Sequence, residues 1–185
     1  MKVIFLDRDG VINKYPGDYK YVRNWKEFHF LSGVKKSIRQ LTEAGYKIFI
    51  ISNQAGVSKG IFSHKALENI TKKMLKDIRD SGGDIDGVFY CTHLEEDNCL
   101  CRKPKTGLID KVVAQLKKDN IKVDFSKSFF VGDTIRDVRT GKAAGLKTIL
   151  LFSGKEKPRN RRDWEISPDF TAKDLKDAVK IILHK

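Results

Sequence analysis

The sequence predicts an α/β fold in which a parallel sheet, in strand order 3-2-1-4-5, carries helices on both faces. Three observations predict it. Short, continuously apolar runs recur along the chain, helix-period segments separate them, and polar residues gather where the runs end. Strand and helix in strict alternation imply right-handed crossovers and a sheet covered on both sides. This is the Rossmann-like arrangement, in which ligands bind beyond the carboxyl ends of the strands.

The first strand is VIFLD (3–7), too uniformly apolar for a sheet with a wet face. KIFIISN (47–53), GVFYC (87–91), SFFVGD (128–133) and TILLFS (148–153) follow as strands two to five. Between strands one and two, Val34, Ile38 and Leu41 fall on one helical face, and Gly45 is a C-terminal stop. Ser63 caps a second helix carrying Leu67, Ile70, Met74, Leu75 and Ile78. Leu108, Ile109, Val112, Val113 and Leu116 mark a third. A fourth runs from Asp133 to Ala144, before Gly145. Thr171 with Asp174 has capping-box spacing for the last. No repeat, low-complexity tract or linker divides the chain, so residues 1–185 are expected to form one domain. Segments 10–31 and 54–86 leave no room for a large cap domain over the strand ends.

The bulk numbers exclude several classes. No apolar run approaches the roughly 20 residues of a membrane helix, and the start, MKVIFLDRDG, is too short in apolar residues for a signal peptide. A cytoplasmic protein without a membrane partner is expected. The net charge of +13 admits nucleic acid or a phosphorylated metabolite as ligand. Much of it, however, lies on helix faces such as ITKKMLKDIRD, where lysines simply meet water. The dense run KEKPRNRR (155–162) reads as a mobile surface loop rather than a nucleic-acid clamp.

The strand ends carry the chemistry. Strand one ends in Asp7-Arg8-Asp9-Gly10, strand two in Ser52-Asn53-Gln54, and strand four in Gly132-Asp133 with Asp137 one helical turn on. Alone, Asp133 would be an ordinary helix cap; the joint pattern is hard to dismiss. In order, DRDGVIN, SNQ, RKP and VGDTIRD make the chain resemble the haloacid dehalogenase-like phosphatase superfamily. The resemblance implies phosphomonoester hydrolysis through an aspartyl-phosphate, with Asp7 as nucleophile. Asp9 would be the general acid and then the base, a role that asks for a raised pKa. Asp7, Asp133 and the carbonyl of Asp9 would hold Mg²⁺, which removes the repulsion between carboxylates and a phosphate dianion. Gly10 lets the backbone turn closely round the phosphate. Ser52 and Asn53 would donate to its oxygens, and Lys103 would place a positive charge on the transferring group. Asp137 would orient these groups or support the metal, unless it is a solvated helix acid.

All three cysteines lie in one segment, as Cys91, Cys99 and Cys101 with His93 in the spacing C-x-H-x₅-C-x-C. Bunching in an odd number suits a metal better than a disulfide framework. Three thiolates and an imidazole make a closed tetrahedral Zn²⁺ set with no open position, hence a structural one. Zinc would pin the loop that carries Arg102 and Lys103. With this loop, FHFLSGV and ISNQAGV, residues 1–153 resemble the D-glycero-D-manno-heptose-1,7-bisphosphate 7-phosphatase family and the related histidinol-phosphate phosphatase domains. That resemblance implies removal of the 7-phosphate of a heptose bisphosphate. It also implies substrate contacts from Tyr15, Pro16, Gly17 and Asp18 (otherwise an ordinary turn), from Gln54 and Ala55, and from Arg102 and Lys103. Thr134 stands where some members have Lys, which bears on anomer preference or the grip on a second phosphate. A monomer acting on a small phosphorylated sugar is expected. The rival readings are a histidinol-phosphate phosphatase, a phosphatase of nucleic-acid ends, and a non-catalytic basic zinc module that binds nucleic acid.

Overall fold

The computed structural model describes residues 1–184. Six strands form one parallel sheet: β1 (Val3–Leu6), β2 (Lys47–Asn53), β3 (Gly87–Cys91), β4 (Phe129–Gly132), β5 (Lys147–Leu151) and β6 (Phe170–Ala172), in the order β3-β2-β1-β4-β5-β6. Among the described residues, five α-helices connect or follow them: α1 (Val34–Glu43), α2 (His64–Asp80), α3 (Gly107–Lys118), α4 (Ile135–Ala143) and α5 (Leu175–Leu183).

Alternation along the central strands divides the core in two, because successive side chains of a strand point to opposite faces. Ile4 and Leu6 of β1, with Ile48, Ile50, Phe129 and Val131, pack against Ile38 and Leu41 of α1, Ile70 and Met74 of α2 and Val179 and Ile182 of α5. Val3 and Phe5, with Phe49, Ile51 and Phe130, pack against Leu108, Ile109, Val112 and Leu116 of α3. β1 is in the middle and fully buried, so the residues that follow it lie at the centre of one sheet edge. Pairing of Leu6 with Ile50 on one side and with Val131 on the other brings the ends of β1, β2 and β4 level.

The predicted order 3-2-1-4-5 is present, extended by β6. That strand pairs with β5 from Ile149↔Phe170 to Leu151↔Ala172. Thr171 therefore sits in a strand and caps no helix; the cap of α5 is Asp174, whose side chain accepts from the Asp177 N–H. Three residues are too few for a periodic signal, and tertiary contacts hold them. Asp169 accepts from the backbone and hydroxyl of Thr148 at 2.7 and 2.8 Å and pairs with Lys142. β3, read as buried, is an edge strand in which only Cys91 is buried. The fourth helix starts at Ile135, not Asp133, because Thr134 and Asp137 close a capping box. Within the basic run 155–162 lies part of a 3-10 helix, Pro158–Asp163. Trp164 behind it donates to Glu156 at 3.0 Å and stacks on Phe152, so the segment is anchored to the body.

Candidate active site

The ends of β1, β2 and β4 open into a cleft of about 410 Å³. Asp7, Asp133 and Lys103 lie at its floor, all buried. Lys103 Nζ is 2.5 Å from Asp137 Oδ1 and 3.0 Å from Asp7 Oδ1. Burial alone would lower the Lys103 pKa; Asp137 and Asp7 outweigh it, so the ammonium stays charged. Burial raises the pKa of Asp7, offset in part by Lys103 and reinforced by Asp137 and Asp9. Asp133 is pushed well up, by burial and then by Asp7 and Asp137.

One oxygen from each of Asp7, Asp133 and Asp137 can be chosen so that all lie within 4.8 Å. Their demands differ. Asp137 Oδ1 takes Lys103, and Oδ2 accepts from the Thr134 N–H at 3.0 Å and its hydroxyl at 2.7 Å. Asp137 is thus neither a solvated helix acid nor free for a ligand; it caps α4 and aims Lys103. Asp133 Oδ2 accepts from the Lys155 N–H at 2.7 Å. Apart from the Lys103 ammonium at 3.0 Å, Asp7 Oδ1 has no hydrogen-bond partner among the described residues. Buried carboxylate oxygens short of donors, with raised pKa values, are the donor set a hard divalent cation fits.

Asp9 lies apart from this cluster and departs from expectation. Arg8 Nη2 is 2.9 Å from both its oxygens, Asn13 donates at 2.8 Å and Gln54 at 2.9 Å. Burial pushes the Asp9 carboxyl up, but Arg8 and the bonds from Asn13 and Gln54 win, and it falls below the ordinary value. The raised pKa expected of a general acid is absent in this arrangement. The cause is Arg8, which the sequence showed only as the residue between two aspartates. Alternation turns it to the α2 side, wholly buried, with its guanidinium 5.9 Å from the centre of the Tyr90 ring.

Other expected residues are placed as follows. Ser52, Asn53 and Ala55 line the cleft. Asn53 is occupied as a clamp: it accepts from the Lys103 N–H at 3.1 Å and donates to the Lys103 carbonyl at 3.2 Å. Gln54 is buried beneath, bonded to Asp9 and Ser52 rather than facing the cleft. Gly10 does not line it either. Gly10 has φ +81°, and a Cβ there would overlap the Asp133 carboxylate, so the close approach it permits is to a side chain of the protein. Tyr15, Pro16, Gly17 and Asp18 form one wall, Arg102 and Thr134 another. The Tyr15 hydroxyl donates to Asp18 at 2.5 Å, and Arg102 donates to the His93 carbonyl at 3.2 Å.

Sequence reading missed several residues of the cleft. Tyr19, Lys20, Tyr21, Lys59, Glu95, Arg136 and Lys155 also line it. Gly154 packs so closely on Asp133 that a Cβ would collide with its Oδ2. All but Arg136, in the first turn of α4, lie in loops whose ends meet only after folding; the one available signal was a Gly-Lys pair directly beyond the fifth strand.

The cysteine loop closes on itself beside α3. Cys91 Sγ lies 3.6 Å from Cys99 and 3.2 Å from Cys101, Cys99 lies 3.4 Å from Cys101, and His93 Nδ1 lies 3.2 Å from Cys101. No disulfide forms. A tetrahedral zinc with Zn–S of about 2.3 Å sets sulfurs roughly 3.8 Å apart, so the four side chains fit one such ion with small adjustment. Burial pushes the Cys91 thiol up to about 12, whereas bonds from Cys101 and Cys91 overcome desolvation and bring Cys99 down to about 6.

Comparison with known proteins agrees with this geometry. The profile of the polynucleotide kinase 3 phosphatase family matches residues 2–181. The chain is similar to the D-glycero-D-manno-heptose-1,7-bisphosphate 7-phosphatase of Chlorobaculum tepidum, 36% identical over 185 residues, covering 96% of this chain and 92% of that protein. It is likewise similar to the D-glycero-beta-D-manno-heptose-1,7-bisphosphate 7-phosphatase of Neisseria meningitidis, at 36% over 157 residues, 85% of this chain and 80% of the other. Among solved structures, the D,D-heptose 1,7-bisphosphate phosphatase of B. bronchiseptica, complexed with magnesium and phosphate, superposes with a TM-score of 0.86 at 30% identity, covering 100% and 99% of the two chains. The chain therefore belongs to the polynucleotide kinase 3 phosphatase family of haloacid dehalogenase-like enzymes, and it is a phosphatase.

Proposed function

We propose that the protein removes the 7-phosphate of D-glycero-D-manno-heptose 1,7-bisphosphate, with residues 1–185 acting as one catalytic domain. The observation that carries the chemistry is the buried triad of Asp7, Lys103 and Asp133 at the sheet edge. The substrate reading is supported by relatives of that name at 33–36% identity.

In this reading Asp7 attacks phosphorus and the P–O bond to the sugar breaks. The leaving alkoxide takes a proton from Asp9, and the aspartyl-phosphate is then attacked by a water that gives its proton back to Asp9. As placed, Asp9 is an ionised carboxylate, the form the second step needs. A phosphate dianion entering the cleft adds negative charge beside it and favours the protonated form required for the first. Lys103, held by Asp137 and by the Asn53 clamp, offsets charge on the phosphoryl oxygens. Asp7, Asp133 and the Asp9 carbonyl would hold Mg²⁺, which when bound neutralises the carboxylates facing the phosphate. Cys91, His93, Cys99 and Cys101 would hold structural Zn²⁺.

The test is phosphate release, with Mg²⁺, from both anomers of heptose 1,7-bisphosphate, histidinol phosphate and a 3′-phosphorylated oligonucleotide. The oligonucleotide is the second reading, favoured by the +13 charge and the family profile. A hundredfold preference in kcat/KM for a heptose, about 2.7 kcal/mol of differential transition-state binding, supports the proposal. A preference for either other substrate replaces it.

A further inference from the structure

The segment that follows β5 has no part in the chemistry above, yet it joins a metal-cluster carboxylate to the loop after β1. Lys155 reaches in two directions. Its backbone N–H donates to Asp133 Oδ2 at 2.7 Å, and its ammonium lies 2.7 Å from Asp18 Oδ1. The Tyr15 hydroxyl donates to that same Asp18 oxygen at 2.5 Å. The origin of the Lys155 side chain is rigidly placed. The Glu156 N–H donates to the Asp133 carbonyl at 3.1 Å, and the Ser153 hydroxyl to the Gly10 carbonyl at 2.7 Å. Lys157 Nζ donates to the carbonyls of Phe152 and Gly154 at 3.1 and 2.7 Å. The loop it meets is not so tied. Around its tip the backbone bond is local, from the Lys20 N–H to the Gly17 carbonyl, and Gly17 has φ +105°.

We propose that Lys155 is a positioning residue, a latch that holds the Tyr15–Asp18 loop closed over the cleft and sets its distance from Asp133. Lys155, Asp18 and Tyr15 all line the cleft, so the closed loop forms the wall a substrate meets. Both partners of the ion pair are about half exposed, at 49% and 58%. Such a pair is weak and makes and breaks readily, as a loop that must admit and release a ligand requires. The anchor on Asp133 makes closure specific: the ammonium starts from a peptide fixed to the reacting centre. The effect on substrate binding rests on the proposed phosphatase function; the latch itself does not.

The experiment compares Lys155→Ala, Lys155→Arg, Asp18→Ala and the Lys155→Ala/Asp18→Ala pair with the wild type. Limited trypsin digestion, read by mass, follows cleavage after Lys14 and Lys20, which flank the loop. Lys155→Ala and Asp18→Ala are each expected to speed that cleavage roughly three- to fivefold, the scale of an exposed ion pair. The double variant should be no faster than Asp18→Ala, which already lacks the ion pair and the Tyr15 bond as well, and Lys155→Arg should return to the wild-type rate. Equal cleavage in wild type and Lys155→Ala, or additive effects, overturns the latch. KM for heptose bisphosphate should rise by the same factor in Lys155→Ala, with a smaller change in kcat. A fall in kcat that matches or exceeds the rise in KM would assign Lys155 to holding Asp133 instead, and overturns the proposal. If the wild type does not turn over heptose bisphosphate, the substrate reading fails while the cleavage result still decides the latch.

Discussion

Arg8 sits in the chain between the two aspartates of the first motif and is wholly buried, on the opposite side of the strand from Asp7. Its charge is balanced by Asp9, and the balance favours the ionised form of the carboxyl proposed to handle the proton. Truncation of Arg8 to Met should raise the lower pKa of the kcat/KM profile, because the cation that favours the Asp9 carboxylate is gone; an unchanged acid limb would show that Asp9 is not the titrating group. Asp7→Asn should abolish turnover while the circular dichroism spectrum stays that of the wild type; retained phosphate release would remove Asp7 from the nucleophile position. A Cβ at Gly154 would overlap Asp133 Oδ2. A methyl there must displace the carboxylate, and displacement near an ångström costs on the order of a hundredfold in rate. Gly154→Ala should lower kcat by about that factor with the melting temperature little changed.

Two loops act as elements in their own right. The cysteine loop leaves β3 and ends in the residues that place Lys103. Cys101 is two positions from Lys103, whose peptide is clamped on both sides by Asn53 of β2. Zinc bound by the four side chains would make that connection stiff. Cys99→Ser should therefore lose one equivalent of zinc by elemental analysis and lower both melting temperature and kcat. Full zinc content in the variant would show that the ion is held elsewhere. The Ser153–Lys157 segment is the second such element. It bonds to Gly10 and Asp133 through three hydrogen bonds, from Ser153, Lys155 and Glu156, and so makes the end of β5 part of the site.

Across the whole molecule the cleft concentrates buried carboxylates, and that concentration opposes folding. Asp7 and Asp133 have pKa values above the ordinary 3.8, the latter well above it. The native state then binds more protons than the unfolded chain in the window above 3.8, so stability falls as pH rises through the raised values. Asp9, lowered, works oppositely, but its window lies below 3.8. In chelator the melting temperature should drop as pH rises from about 4 through the raised pKa values, over the range where the carboxylates ionise. Mg²⁺ should restore it at the high-pH end, since a ligand of the native state stabilises it by mass action. A flat profile in chelator would mean that Lys103 already compensates the cluster.

Much of this was legible in one dimension. The alternation of VIFL, KIFIISN and FFVG with helix-period segments determined a parallel sheet, because a strand buried on both faces has no polar side to show. The order DRDG, SNQ, RKP, VGDTIRD named Asp7, Asp133 and Lys103, and C-x-H-x₅-C-x-C brought Cys91, His93, Cys99 and Cys101 together, since each group sits close in sequence or at a strand end. What the sequence left open was set by contacts between distant segments. β6 exists because Asp169 finds Thr148 and Lys142 across the sheet. The ionisation of Asp9 follows from where Arg8 and Gln54 turn. Asn53 serves Lys103 rather than facing ligand alone, and Lys155 meets Asp18 across 137 residues of chain. Local pattern determines which elements form and what stands at their ends. Hydrogen-bond partners and pKa values depend on separations of a few ångströms through a low-dielectric interior, and the folded chain alone sets those.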